Sequence, residues 1–144
     1  MKVRPKFTVN GFRTDARGTE RVLGRLESAV IELLWLEPHL TVVEVTRRLE
    51  RRREIALTTV LTVLDRMYRK GYLIREKEGK AYLYSPRYSR PEFEAGMIRE
   101  ILSSLLIEAK EATLIEFISI IADDSETLHR LEEIIRMKRL EQAK

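Results

Sequence analysis

The feature that most restricts how this chain can fold is a change of apolar period at Gly71. Ahead of it, Leu57, Val60, Leu61, Leu64, Met67 and Tyr68 share one arc of a helix at about 100° per residue. Behind it, residues 72–77 and 81–85 read as two short strands, and in the second Tyr82 and Tyr84 alternate with Ala81 and Leu83. Glu78-Gly79-Lys80 joins the strands as a hairpin turn, with glycine where a positive φ is needed. Gly71 is the left-handed stop of a helix over about residues 57–70.

Two more helices precede this one. Leu26, Val30, Leu33 and Leu34 share a face over about residues 25–36, which end ahead of Pro38, and Trp35 is expected to pack in the core. Thr41-Val42-Val43-Glu44 is a capping box, in which the threonine hydroxyl takes an orphan amide and Glu44 reaches back to the cap. It starts a helix that runs to about Arg52 and buries Val42, Val45 and Leu49. Three helices and a hairpin in this order form a winged helix-turn-helix, whose last helix enters a major groove while the hairpin lies along the backbone.

Charge agrees with that use. Residues 1–89 hold 19 Lys and Arg against 11 Asp and Glu, while residues 90–144 hold 8 against 12, so the front half attracts polyanions. The arc opposite the apolar face of the third helix carries Thr58, Thr59, Thr62, Arg66 and Arg69, with Asp65 near its edge. Arginine can read guanine in a bidentate way, and a threonine methyl can touch a thymine methyl. Arg66 and Thr62 are the expected base readers. Lys80 at the hairpin tip, Arg75, and Arg51 with its neighbours Arg52 and Arg53 suit phosphate contacts that position without specifying. The alternative is a winged helix used as a protein-interaction module without DNA readout.

After Pro86 the pattern becomes wholly helical. Ser89-Arg90-Pro91-Glu92 is a second capping box, followed by a stripe of Phe93, Met97, Ile98, Ile101, Leu102 and Leu105 that reaches about Ile107. A helix over about residues 110–121 is apolar at Leu114, Ile115, Phe117, Ile118 and Ile121. Asp123 and Asp124 can cap a last one that carries Leu128, Leu131, Ile134 and Ile135. So short a region cannot bury such wide apolar faces alone, and a second copy of the chain is the simplest cover. The expected dimerisation residues are Phe93, Met97, Ile101, Leu105, Leu114, Phe117, Ile118 and Leu131. The organisation is therefore a flexible basic arm over 1–20, a winged-helix DNA-binding domain over 21–89 and a helical dimerisation region over 90–144.

Enzyme chemistry has no constellation to work with. The chain lacks cysteine, and its histidines, His39 and His129, have no metal-ligand spacing. No glycine-rich phosphate loop or nucleophile elbow occurs. No catalytic residue, metal or cofactor is therefore expected. No apolar run reaches the ~18 residues of a membrane span and none follows the basic N-terminus, so neither membrane insertion nor a signal peptide is expected, and the cytoplasm is the expected location.

Several stretches resemble the penicillinase-repressor (BlaI/MecI) family. They are Leu23-Gly24-Arg25-Leu26-Glu27, Leu34-Trp35, Thr41-Val42-Val43-Glu44-Val45, Thr58-Thr59-Val60-Leu61-Thr62-Val63-Leu64-Asp65-Arg66, Lys70-Gly71-Tyr72-Leu73 and Glu78-Gly79-Lys80-Ala81-Tyr82-Leu83-Tyr84, within about residues 23–120. The resemblance implies a homodimeric repressor on a palindromic double-stranded DNA operator upstream of resistance or stress genes. In one branch it also implies release by a membrane sensor protease that triggers cleavage at an Asn-Phe pair. The nearest match here is Glu116-Phe117, with glutamate in place of asparagine. The copper-responsive branch senses through cysteine pairs, which this sequence lacks.

Overall fold

In the computed structural model, which describes residues 13–144, a short 3-10 turn (Gly18–Arg21) leads into three helices, α1 (Arg25–Leu36), α2 (Val42–Glu50) and α3 (Leu57–Arg69). A hairpin of β1 (Leu73–Glu78) and β2 (Ala81–Pro86) follows, then α4 (Arg90–Glu108), α5 (Lys110–Ile121) and α6 (Ser125–Gln142). The chain divides into two compact units, the first ending at Ile101 and the second spanning Leu102–Lys144.

The first unit has the winged-helix order. Its core is built on Val30, Ile31 and Leu34 of α1, Val45 and Leu49 of α2, Val60, Val63, Leu64 and Met67 of α3, and Leu73 and Tyr84 of the hairpin. Thr41 caps α2 as expected: its hydroxyl accepts from the Glu44 amide at 3.2 Å, and Glu44 Oε1 accepts from the Thr41 amide at 3.2 Å. α3 ends in a Schellman arrangement. The Tyr72 amide donates to the Met67 carbonyl at 3.0 Å and the Gly71 amide to that of Tyr68 at 3.0 Å, and Gly71 takes φ +85°. A side chain at that φ is strained, so glycine is what lets the chain reverse from helix to strand within three residues.

The strands pair antiparallel, from Leu73 opposite Pro86 to Glu78 opposite Ala81. The two-residue loop puts its positive φ (+61°) on Gly79, the first central position, as a II′ turn requires. Leu40, just before α2, bridges to Tyr84 through 3.2 and 2.8 Å backbone bonds, which ties β2 to the α1–α2 connection.

Three expectations change here. Residues 13–20 do not behave as part of an arm: the Arg13 amide donates to the Arg21 carbonyl at 2.7 Å, and Thr19 is buried with its hydroxyl on Ser28. The remainder of the expected arm, residues 1–12, lies outside the described residues. Phe93 and Met97 are not free for a partner. Phe93 is 1% exposed, edge-on to Trp35 (centroids 5.5 Å) and Tyr72 (5.6 Å), and Met97 is buried as well. The first turns of α4 therefore complete the core of the winged helix. They are clasped to α1 by the Arg90–Glu32 ion pair, and the connection just ahead of them by the 2.9 Å bond from Trp35 Nε1 to the Tyr88 carbonyl.

The third change is a rotation of α3. Val63 is buried, whereas Leu57, Leu61 and Tyr68, expected inside, are exposed. The inward arc centres on Val60, Val63, Leu64 and Met67, the side that packs into the shared core with α1, α2 and β1.

In the second unit α5 and α6 pack on each other, and neither buries a residue fully. Asp124 caps α6 by accepting from the Thr127 amide at 3.1 Å. Leu131 is half-buried, but Leu105, Leu114, Phe117, Ile118, Ile134 and Ile135 stay exposed.

Candidate nucleic-acid interface

With α3 set by its buried arc, the opposite side is defined by geometry. At about 100° per residue, Thr58, Thr62, Asp65 and Arg69 stand across from the Val60/Met67 side. Thr59 and Arg66 lie on one flank and Leu57, Leu61 and Tyr68 on the other. Arg69 has the most open side chain of these charged groups, 77% exposed, and pairs with Asp65 at 2.9 Å, one turn back. Thr62 donates its hydroxyl to the Thr58 carbonyl at 2.9 Å, which turns its methyl and oxygen to defined positions on the helix surface.

Arg66 is placed differently from a free reader. Its guanidinium lies 3.8 Å from Glu27, a buried carboxylate in the first turn of α1 that Lys70 also approaches at 3.5 Å. Arg66 and Lys70 thus neutralise a charge that burial would otherwise penalise.

Arg75 is not free either. Its guanidinium is sandwiched 4.0 Å from the Tyr68 ring and 4.2 Å from the Tyr82 ring, with Asp65 at 3.5 Å. Desolvation lowers the pKa of this guanidinium, but the hydrogen bond to Tyr84 and the charges that Tyr82, Tyr84 and Tyr68 carry once ionised together outweigh it and raise the pKa above its ordinary value. This cluster joins the last turn of α3 to both strands of the hairpin. Spacing alone points Arg75 to phosphates, because two tyrosines from separate elements meet over it only in the fold.

Lys80 occupies the exposed tip of the hairpin, beside exposed Lys77. Arg51, Arg52 and Arg53 are exposed in the turn between α2 and α3. They line an open groove of about 470 Å³ with Glu20, Glu32, Glu37 and Arg48, and Arg48 is held by Glu37 at 2.6 and 2.7 Å. The hydrogen bond from Arg48 and the nearby charges of Arg48 and Arg51 hold the Glu37 carboxyl below its usual range. α3 itself begins without a side-chain cap at Ala56; the Thr59 amide turns back to the Ala56 carbonyl at 3.1 Å, and among the described residues the Leu57 and Thr58 amides are open.

Among the described residues, no group of His, Asp and Glu is arranged to hold a metal ion, and no helix is long and apolar enough to cross a membrane. His39, at φ +62°, bonds to Ser85 through its ring Nδ1 at 3.0 Å and its amide at 3.1 Å, a structural tie between the α1–α2 connection and β2.

Element order, the hairpin wing and the polar outer face of α3 define a winged-helix protein. The model of the penicillinase-repressor family matches residues 23–137. The chain belongs to that family. It is 36% identical over 112 residues to the transcriptional regulator BlaI of Mycobacterium tuberculosis, a match covering 75% of this chain and 80% of that relative. Among solved structures it is similar to the DNA-binding domain of the repressor BlaI (26% identity, TM-score 0.45, 49% of this chain and 85% of that one). It is also similar to Bacillus licheniformis BlaI in its monomeric form in complex with the blaP half-operator (26% identity, TM-score 0.43, 49% and 85%).

Proposed function

We propose that this chain is a sequence-specific DNA-binding transcriptional repressor that acts as a homodimer on a palindromic operator. The observation that carries the reading is the outward arc of α3, where Thr58, Thr62 and Arg69 stand clear of the core on a helix whose first amides are uncapped. Such an arc supplies bidentate and methyl contacts to base edges, and open amides suit a phosphate. Arg69 and Thr62 are the leading base readers, with Thr58 and Thr59 beside them. Lys80, Arg51 and, from the Glu27 flank, Arg66 supply backbone contacts. The family and the relative named BlaI support the same reading.

The half-exposed apolar side chains of α4 to α6, namely Leu105, Leu114, Phe117 and Ile118 with Ile101 and Leu131, support a second copy as their cover. Two linked half-sites then bind through effective concentration. Derepression by an antibiotic or stress signal follows if that interface is broken. Cleavage at Glu116-Phe117 by a sensor protease is one route, and it requires α5 to unwind first, because the bond lies inside that helix. Cytoplasmic residence and the absence of catalysis belong to the same reading.

The test is binding of the full chain to a duplex selected from a random library, followed across salt. Affinity should fall linearly in log–log form as salt rises. Arg69→Ala should cost about 1–3 kcal/mol on the selected duplex and little on random DNA, whereas Arg66→Ala should weaken both alike. A salt-independent interaction, or no duplex preference, overturns the reading.

A further inference from the structure

Leu57 and Leu61 are 45% and 46% exposed on α3. They stand one turn apart, and together with Tyr68 they fall within about 40° of helix arc. Tyr68, at the C-terminal end of this flank, is covered by Arg75 of the hairpin at 4.0 Å. The N-terminal end, where the leucines lie, is open, and each leucine is followed directly by a threonine of the outward arc, Thr58 and Thr62. An apolar pair edged by a polar arc, in a half of the chain with 19 Lys and Arg against 11 Asp and Glu, needs a partner that is anionic overall and apolar at one point. The patch is also narrow. A partner helix would lay down anchors at i, i+3, i+4 and i+7, and this flank offers only two leucines before Asp65 and the Arg75 cluster interrupt it.

We propose that Leu61, supported by Leu57, is a specificity-determining residue that packs on the C5-methyl group of thymine in the major groove. The inference rests on the DNA-binding reading above and adds what that reading leaves open, which base the apolar flank selects. In the major groove thymine alone presents a methyl among hydrogen-bonding edges, so a leucine there discriminates by contact rather than by hydrogen bonding. Thr58, Thr62 and Arg69 then take the polar edges of neighbouring bases, and Lys80 holds the helix in register.

The full chain is first used to select a duplex, and each thymine in it is then replaced singly by deoxyuridine, which removes the methyl and leaves every hydrogen-bonding edge intact. Binding should weaken about fourfold at one or two positions per half-site, the value of one buried methyl-sized group. Leu61→Ala should bind the parent duplex several-fold more weakly and be indifferent to deoxyuridine at those same positions, while keeping the wild-type salt slope and melting temperature. Wild-type binding that is blind to every methyl overturns the inference and leaves the DNA reading standing, as does full methyl sensitivity in Leu61→Ala. A chain that selects no duplex overturns both and leaves the leucines to a protein partner.

Discussion

Arg75 lies between two aromatic rings from different elements, Tyr68 of α3 and Tyr82 of β2, with Asp65 closing the third side. Each stacked contact is worth about 0.5–1 kcal/mol, and only a planar guanidinium can serve both faces at once. Arg75→Lys should therefore lose most of what Arg75→Ala loses, about 1–2 kcal/mol by thermal melting. If the two differ sharply, charge and not stacking holds the hairpin to α3. Tyr72 offers a second test at this scale. Burial first, and then the nearby charge of Glu27, push its phenol from 10.0 up to about 12. Its proton is retained in the fold and lost more easily in the unfolded chain, so the stability is complete below about pH 10 and drains away as pH climbs toward 12. The difference in melting temperature between wild type and Tyr72→Phe should be constant up to pH 9 and shift in favour of the variant above pH 10.

Helix ends illustrate how local chemistry becomes structure. Asp124 holds the first turn of α6 through the Thr127 amide and hydroxyl, bonds that pull its carboxyl below the usual range. Asp124→Ala should lower the melting temperature at neutral pH, because the first turn of α6 loses its cap. The stabilisation is present above the unfolded pKa and fades as pH falls through the lower folded one, so wild type and variant should converge in acid melts. Such caps were legible in advance, as were α1, α5 and the stop at Gly71, because each depends on residues within a few positions of one another. The facing of α3 was not. Its apolar positions spread wider than the side its neighbours cover, and whether Leu57 and Leu61 or Val63 turn inward depends on where α1, α2 and β1 sit. The same holds for Arg66 and Arg75, whose partners Glu27 and Tyr82 lie in other elements. The Thr/Arg character of the candidate site could be read from sequence, but its division into side chains that face outward and side chains tied to other elements could not.

At the scale of the whole molecule, the question is where the DNA-binding part ends. A boundary at residue 89 follows the change to helical pattern, yet the compact first unit ends at Ile101. The reason is Phe93, which fills the space between Trp35 and Tyr72 and is reached only if the first turns of α4 are present. A fragment ending at 89 lacks that ring, and the loss of a buried phenylalanine is worth about 3–5 kcal/mol, a large part of a small domain's stability. A fragment ending at 101 keeps Phe93, Met97 and the Arg90–Glu32 clasp while shedding α5 and α6. Urea denaturation should show the longer fragment folding cooperatively and the shorter one melting at far lower denaturant. Sedimentation of the longer fragment should report a monomer, with operator affinity far below that of the full chain but the same preference for the half-site, because α3 is intact and only the second copy is missing. A longer fragment that still sediments as a dimer would move the interface out of Leu102–Lys144 and into the winged helix, and the exposed faces of α5 and α6 would then need another partner.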